Sequence, residues 1–219
     1  MTMQTEPVQQ DADVQAPVDD FFFHFVDYLY RKRKLFISIG LLLLAGVFVS
    51  LGWVEYQQQQ NEKRDLALFS IESELRVKET QNKALGDLES FIEHHPGTSQ
   101  SRLARLYRSN VLSAQGDYLK AEFELDHLLA ELDPKSGFFV VVQVNLSNLL
   151  RDQGKMKDAL AILDKNQGIV MEDALLIEKA EIYFSEKNAQ EVKNTLNRLL
   201  EAYPNSLYKQ RAEQLLQAL

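Results

Sequence analysis

Polar and apolar positions divide the chain into stretches with different periods. Residues 1–20 have neither helical nor strand period and are rich in Gln, Asp, Pro and Val, which predicts a disordered tail. In residues 21–30, Phe22, Phe25, Val26 and Leu29 recur at helical spacing with Asp27 on another side. That spacing predicts a short helix lying at a membrane interface and leading into Arg31, Lys32, Arg33 and Lys34. Residues 35–54 follow without one charged or amide side chain, and thirteen of them are Leu, Ile, Phe or Val. At about 1.5 Å rise per residue such a run reaches roughly 30 Å, the thickness of a hydrocarbon core. Beyond Tyr56 the period changes to apolar residues three and four apart, with few Pro or Gly, and the stretch to Leu219 reads as helix. The apolar β-branched run at 140–144 belongs to that pattern, because residues 145–150 restore the helical period.

Transfer free energy makes residues 35–54 a transmembrane helix. Each Leu, Ile, Phe or Val near mid-membrane contributes about −0.3 to −0.6 kcal/mol, so insertion is favourable by several kcal/mol. Trp53 and Tyr56 sit at the far boundary, where amphipathic rings favour the headgroup layer. Arg31, Lys32, Arg33 and Lys34 set the topology: basic residues stay on the cytoplasmic side, which leaves everything after Tyr56 on the other. The expected organisation is a cytoplasmic tail at 1–20, a juxtamembrane segment at 21–34, a span at 35–54 and an extracytoplasmic domain at 55–219. The reversed orientation, as in organelle import receptors with an N-terminal anchor, is the competing topology. A cleaved signal peptide has an apolar region of only about 7–15 residues; Ser50-Leu51-Gly52 would serve as a cleavage site, but the run is too long. A soluble core helix would keep a polar stripe. Gly46 and Ser50, four apart, are a small-residue pair of the kind that lets membrane helices associate.

Within the helical region a longer period emerges. Gly116-Asp117-Tyr118 with Ala121 superposes on Gly154-Lys155-Met156 with Ala159, 38 residues on. Leu112 precedes the first turn, and Leu125, Leu128 and Leu129 follow it; Leu146, Ser147 and Leu150 precede the second, and Leu163 follows. A third unit carries Leu176, Ala180 and Tyr183, then Val192, Leu196, Leu199 and Leu200, and ends at Pro204. A fainter one comes first, with Leu68, Ile71 and Leu75, then Ala84, Leu88, Phe91 and Ile92, ending at Pro96. An irregular bundle also shows apolar residues every three or four positions; the recurring Gly-x-x-x-x-Ala and the breaker prolines distinguish the repeat.

These positions resemble the tetratricopeptide repeat, an all-α solenoid of stacked helix pairs with a period of about 34 residues. Glycine suits the tight turn because a left-handed backbone costs it little, and alanine sits where two helices approach closely. The third unit has Lys187 for that glycine and Val192 for that alanine, which predicts looser or shifted packing, and Arg108 falls where the repeat expects an apolar residue. The expected domain has about four helix pairs and a capping helix over residues 206–219, started by a side-chain cap after Pro204-Asn205. His95-Pro96-Gly97-Thr98, Leu103-Ala104-Arg105-Leu106 and the segment from Val111 to Tyr118 with Ala121 are similar to the YfgM-like ancillary subunit of the Sec translocon. That resemblance implies a bacterial inner-membrane protein, its N-terminus cytoplasmic and its repeat domain periplasmic, that docks beside the translocon and contacts periplasmic chaperones without enzymatic activity.

Charge narrows the partners. The chain carries a formal −8, of which residues 1–34, with six acids and four bases, account for −2 and residues beyond the span for −6. No nucleic-acid partner is expected, since phosphate binding needs clustered Lys and Arg. No disulfide or lipoprotein attachment is possible without cysteine. Of the histidines, His24, His94, His95 and His127, no two have the spacing of a helical metal site; His94-His95 reads as a helix C-terminal cap beside Pro96. There is no phosphate loop and no nucleophile elbow, and Glu122, Glu124 and Asp126 read as a solvated helix face. Asn145-Leu146-Ser147 matches a glycosylation sequon inside a predicted helix. No catalytic residue, cofactor, metal or small-molecule substrate is expected.

Function therefore falls to a surface. In such stacks the first helix of each pair lines a concave groove. By register the groove positions are Leu106, Asn110 and Ser113, then Val144, Asn148 and Arg151, then Ile177, Glu181 and Phe184. Amide and apolar groups together suit an extended peptide or a partner helix, and the lysines that grip a terminal carboxylate in chaperone-binding relatives are absent from the matching positions. The expected partners are proteins, with lipid contacted through the anchor: translocon subunits and periplasmic chaperones on one reading, and an envelope assembly, cell-division or wall-synthesis complex on the other.

Overall fold

The structure is a computed structural model, which describes Tyr28, residues 30–165 and residues 170–219. The tail at 1–20, the apolar positions Phe22, Phe25, Val26 and Leu29, and His24 lie outside the described residues. By internal packing the chain forms two units, Met1–Glu62 and Lys63–Leu219.

In the first unit the apolar run is part of helix α1 (Arg33–Leu75), and no described side chain between 35 and 54 is buried. Leu42 and Val49 are each 72% exposed, the opposite of a soluble core helix. Ser38 and Ser50 donate to the carbonyls of Leu35 and Val47 at 2.8 Å, so the only hydroxyls of the run are satisfied within the helix, as a bilayer requires. This is one N-terminal helix long and apolar enough to span a membrane.

The second unit comprises the end of α1, a 3-10 turn (Lys78–Thr80) and eight further helices: α2 (Gln81–His94), α3 (Ser99–Ala114), α4 (Tyr118–Glu131), α5 (Gly137–Asp152), α6 (Met156–Asp164), α7 (Glu172–Ser185), α8 (Ala189–Ala202) and α9 (Lys209–Gln217). No strand occurs among the described residues. Helices α3–α4, α5–α6 and α7–α8 are antiparallel pairs stacked in order, α4 packs on α5, and α7 on both α5 and α6. The small-residue positions explain the pairing. Ala121, Ser147, Ala159, Ala180 and Val192 are fully buried, and Ser109 almost so, each at the place where the two helices of a pair meet. Ser147 adds a fastening, donating its hydroxyl to the Ala159 carbonyl across the α5–α6 pair at 3.1 Å. One turn earlier, Gln143 donates to the Ile162 carbonyl.

Local chemistry starts and stops the helices. Thr98, Asp117, Ser136 and Asn188 each accept a backbone N–H as an N-cap, from Ser101, Lys120, Phe139 and Glu191. Helices α3, α5 and α7 all end in the same reversal, in which the N–H of Asp117, Lys155 and Asn188 reaches the carbonyl of Leu112, Leu150 and Tyr183 at 2.9 Å. That reversal needs a left-handed residue: Gly116 at φ 82°, Gly154 at φ 76° and, in the third unit, Lys187 at φ 57°. The looser or shifted packing expected there does not occur. Lys187 takes the left-handed conformation, and Val192 is fully buried where Ala121 and Ala159 stand, inside the hydrophobic cluster that also holds Leu176, Leu196 and Leu199.

Three apolar clusters run along the stack. The largest joins Leu112, Leu125, Leu128, Val140, Val142, Leu146, Leu150, Leu163 and Leu175; another joins Leu68, Leu88, Phe91, Ile92 and Ala104, and the third holds α7, α8 and α9 together. Helix α9 buries Ala212 and Leu215 and turns a polar face outward, as a terminal cap must. It starts at Lys209, with no side-chain cap, rather than directly after Pro204-Asn205. The reason is that the Ser206 hydroxyl is committed elsewhere, donating to Asp173 at 2.6 Å and accepting from the Tyr208 N–H.

Candidate protein-binding groove

Helices α3, α5 and α7, the first members of the three pairs, present one face on which most of the register-derived positions gather. Asn110 and Ser113 of α3 and Asn145, Asn148 and Asp152 of α5 line a polar cavity of about 160 Å³. Arg151 of α5, Glu181, Phe184 and Ser185 of α7, and Arg211, Gln214, Leu215 and Ala218 in and after α9 line a second of about 410 Å³. Val144 is half-buried between the helices. Leu106 and Ile177 are corrections to the register: at 6% and 3% exposure they belong to the apolar clusters, because their side chains turn toward the neighbouring helices that complete the core.

The charged groups of this face are mutually compensated. Arg211 Nε lies 2.9 Å from Glu181 Oε1, while Arg151 Nη1 stands 3.6 Å from Glu178 and 3.8 Å from Glu181. The latter two separations give attraction without a hydrogen bond. Burial, and next the Glu181 carboxylate, push the Glu178 carboxyl above its ordinary range, while Arg151 and the Asn148 amide hold the rise back.

A second ionic cluster lies on the pair interfaces. The sequence pattern places Glu124 on a solvated face; instead it is 4% exposed and accepts from Arg105 Nη1 at 2.9 Å and Arg108 Nη1 at 2.7 Å. Arg108 also reaches Glu89 on α2 at 3.1 Å, so the residue that breaks the apolar pattern ties three helices together. Neither Ser109 nor Gln143 stands out in the sequence, although both are buried at pair contacts; Ser109 is signalled only by lying 38 residues before Ser147. His94 caps its helix, its Nδ1 lying 2.7 Å from the Ser90 carbonyl, and the His95 ring meets Phe91 edge-to-face with the centroids 4.7 Å apart. No group of three metal-ligating side chains occurs among the described residues. The sequon at Asn145 lies inside α5, with Ser147 fully buried.

Known structures share this arrangement. Two crystal structures of nearly identical TPR-like repeats from a Podosopora anserina putative kinesin light chain, one of them carrying a point substitution, superpose on 73% of this chain and 92% of theirs. Identity is 14% and the TM-scores are 0.50 for the substituted form and 0.49 for the other, a likeness of fold alone. No curated protein sequence matches the chain. Residues 30–172, well over half of the chain, match a single sequence family. The helix pairs, their glycine-type reversals and that match make the chain a member of the tetratricopeptide repeat-like domain family.

Proposed function

We propose that the chain is a membrane-tethered adaptor whose groove binds proteins at the outer face of a bacterial inner membrane, linking the Sec translocon to periplasmic chaperones. One observation carries the reading: a helix apolar enough to cross a bilayer occurs in the same chain as stacked repeats with an amide-lined and charge-compensated face. A repeat fold of this kind is a protein-interaction scaffold, and tethering raises its effective concentration toward membrane neighbours without a strong interface. Arg31, Lys32, Arg33 and Lys34 hold the N-terminus in the cytoplasm, residues 35–54 span the bilayer, and residues 55–219 form the periplasmic domain.

Photoreactive residues placed at Asn148 and Phe184 in living cells test this directly. Crosslinks to translocon subunits, to chaperones or to emerging polypeptides are the expected outcome. Crosslinks dominated by division, outer-membrane assembly or wall-synthesis proteins would replace the translocon link with an envelope scaffold, and none from either position would remove the groove as a binding surface.

A further inference from the structure

Just before α1 the chain turns at Lys32, whose N–H donates to the Tyr28 carbonyl at 3.0 Å and whose carbonyl accepts from the Leu35 N–H at 2.9 Å. The turn opens a cavity of about 570 Å³ lined by residues 30–35, within the roughly 300–1,000 Å³ of small-ligand sites. Its charge is one-sided. Lys32, Arg33 and Lys34 are exposed, and the described residues from 28 to 54 include no carboxylate. Asp27 is the one acid within ten residues of the four bases, so four bases against one acid leave +3. Arg31 has a partner of its own, and the unopposed charge falls to Lys32, Arg33 and Lys34. The Arg33 guanidinium lies 5.6 Å from the centre of the Tyr30 ring, a cation–π contact that holds it at the cavity. Leu35, also in the lining, begins the apolar run of α1.

We propose, resting on the membrane span read above, that this basic collar holds the headgroup of an anionic phospholipid, its phosphate on Lys32, Arg33 and Lys34 and its acyl chains along the exposed Leu35, Ile37 and Leu41. Position and charge select a lipid together. Lys34 stands immediately outside an apolar run as long as a hydrocarbon core is thick, which is the depth of the headgroup phosphates. A guanidinium takes two phosphate oxygens at once, and an ammonium binds them as a point charge. A zwitterionic headgroup brings a cation that the collar repels, so the preference is for net negative lipid. A nucleic acid or an acidic protein segment would meet the same charges without using the apolar surface beside them, where Leu35, Ile37 and Leu41 are 53%, 60% and 63% exposed.

Native mass spectrometry of the full chain in detergent, titrated with lipids that share acyl chains and differ in headgroup, tests this. Phosphatidylglycerol is expected to bind at least about tenfold tighter than phosphatidylcholine. Lys32→Gln, Arg33→Gln and Lys34→Gln are each expected to weaken phosphatidylglycerol binding about fivefold, with circular dichroism confirming that the helices persist. Lys63→Gln, an exposed base beyond the span, is expected to leave it unchanged. Equal affinity for the two lipids, collar variants that bind as tightly as the parent, or an equal loss in Lys63→Gln would overturn the proposal. Displacement of the lipid by an equal concentration of glycerol phosphate, RNA or an acidic peptide would overturn it too. A chain that binds both lipids alike loses the collar alone, whereas a full-length chain that stays dissolved without detergent and binds neither loses the membrane span as well.

Discussion

Lys187→Gly should stabilise the protein, although it deletes a long side chain and inserts the residue of greatest backbone freedom. Lys187 holds φ 57° at the reversal that ends α7, where Gly116 and Gly154 hold φ 82° and 76° in the other two pairs. A left-handed conformation costs an L residue about 1–2 kcal/mol, and glycine's extra freedom in the unfolded chain gives back about 0.5–1 kcal/mol of that difference. The balance is a gain of about 0.5–1 kcal/mol. Gly116→Ala and Gly154→Ala should lose a similar amount, through backbone strain alone, since an added Cβ meets nothing within 4 Å at either position. Urea titration of the full chain in detergent, followed by far-UV circular dichroism, reads these as midpoint shifts at constant slope. A lower midpoint for Lys187→Gly, or no change for Gly154→Ala, would refute the claim that one reversal closes all three pairs.

Other substitutions probe the packing. Glu124→Ala should cost about 2–4 kcal/mol in the same titration, because it leaves the largely buried Arg105 guanidinium without its carboxylate and Arg108 with only the exposed Glu89; replacing Glu124, Arg105 and Arg108 together by apolar residues should recover most of that. Ala159→Leu should cost about 1–3 kcal/mol by forcing α5 and α6 apart at the Ser147 contact, with the loss of amide-exchange protection concentrated in those helices. Glu178→Gln should stabilise at neutral pH. A carboxyl whose pKa is raised on folding favours the fold while protonated and loses that contribution as pH rises through the folded value, so the advantage of the variant should fade below the ordinary carboxylate range. A constant difference across a pH series of melting curves would contradict it.

The repeat architecture was legible because two positions per pair admit so few residues. Gly116 and Gly154 mark a left-handed turn, and Ala121 and Ala159 mark close helix contact, so their joint recurrence has no simple bundle explanation. Lys187 and Arg108 misled for opposite reasons. A Lys in a left-handed turn is tolerated when flanking hydrophobic burial outweighs about 1 kcal/mol of strain, which no local pattern reveals. Arg108 was readable as a departure, but its partners Glu89 and Glu124 lie 19 and 16 residues away on other helices. The proposed groove positions divide between cavity walls and core. Asn110, Ser113 and Asn148 line one cavity and Arg151, Glu181 and Phe184 the other, while Leu106 and Ile177 occupy the same register yet point into the core. Register assigns a helix face to within a residue or so, and the boundary between groove wall and core falls inside that margin. The contribution of α9 to the larger cavity depends on how the chain turns after Tyr203, set by the Ser206–Asp173 contact rather than by any repeat position.

The proposed role requires a helix in lipid with its repeats on the far side. The chain has no cysteine, so a single introduced one reports its own side of the membrane. Leu207→Cys, at a position 96% exposed, should react with a membrane-impermeant maleimide in intact spheroplasts, while Thr5→Cys should react only after lysis. Labelling of Thr5→Cys alone, or recovery of the full-length chain in the soluble fraction without detergent, would contradict the central claim.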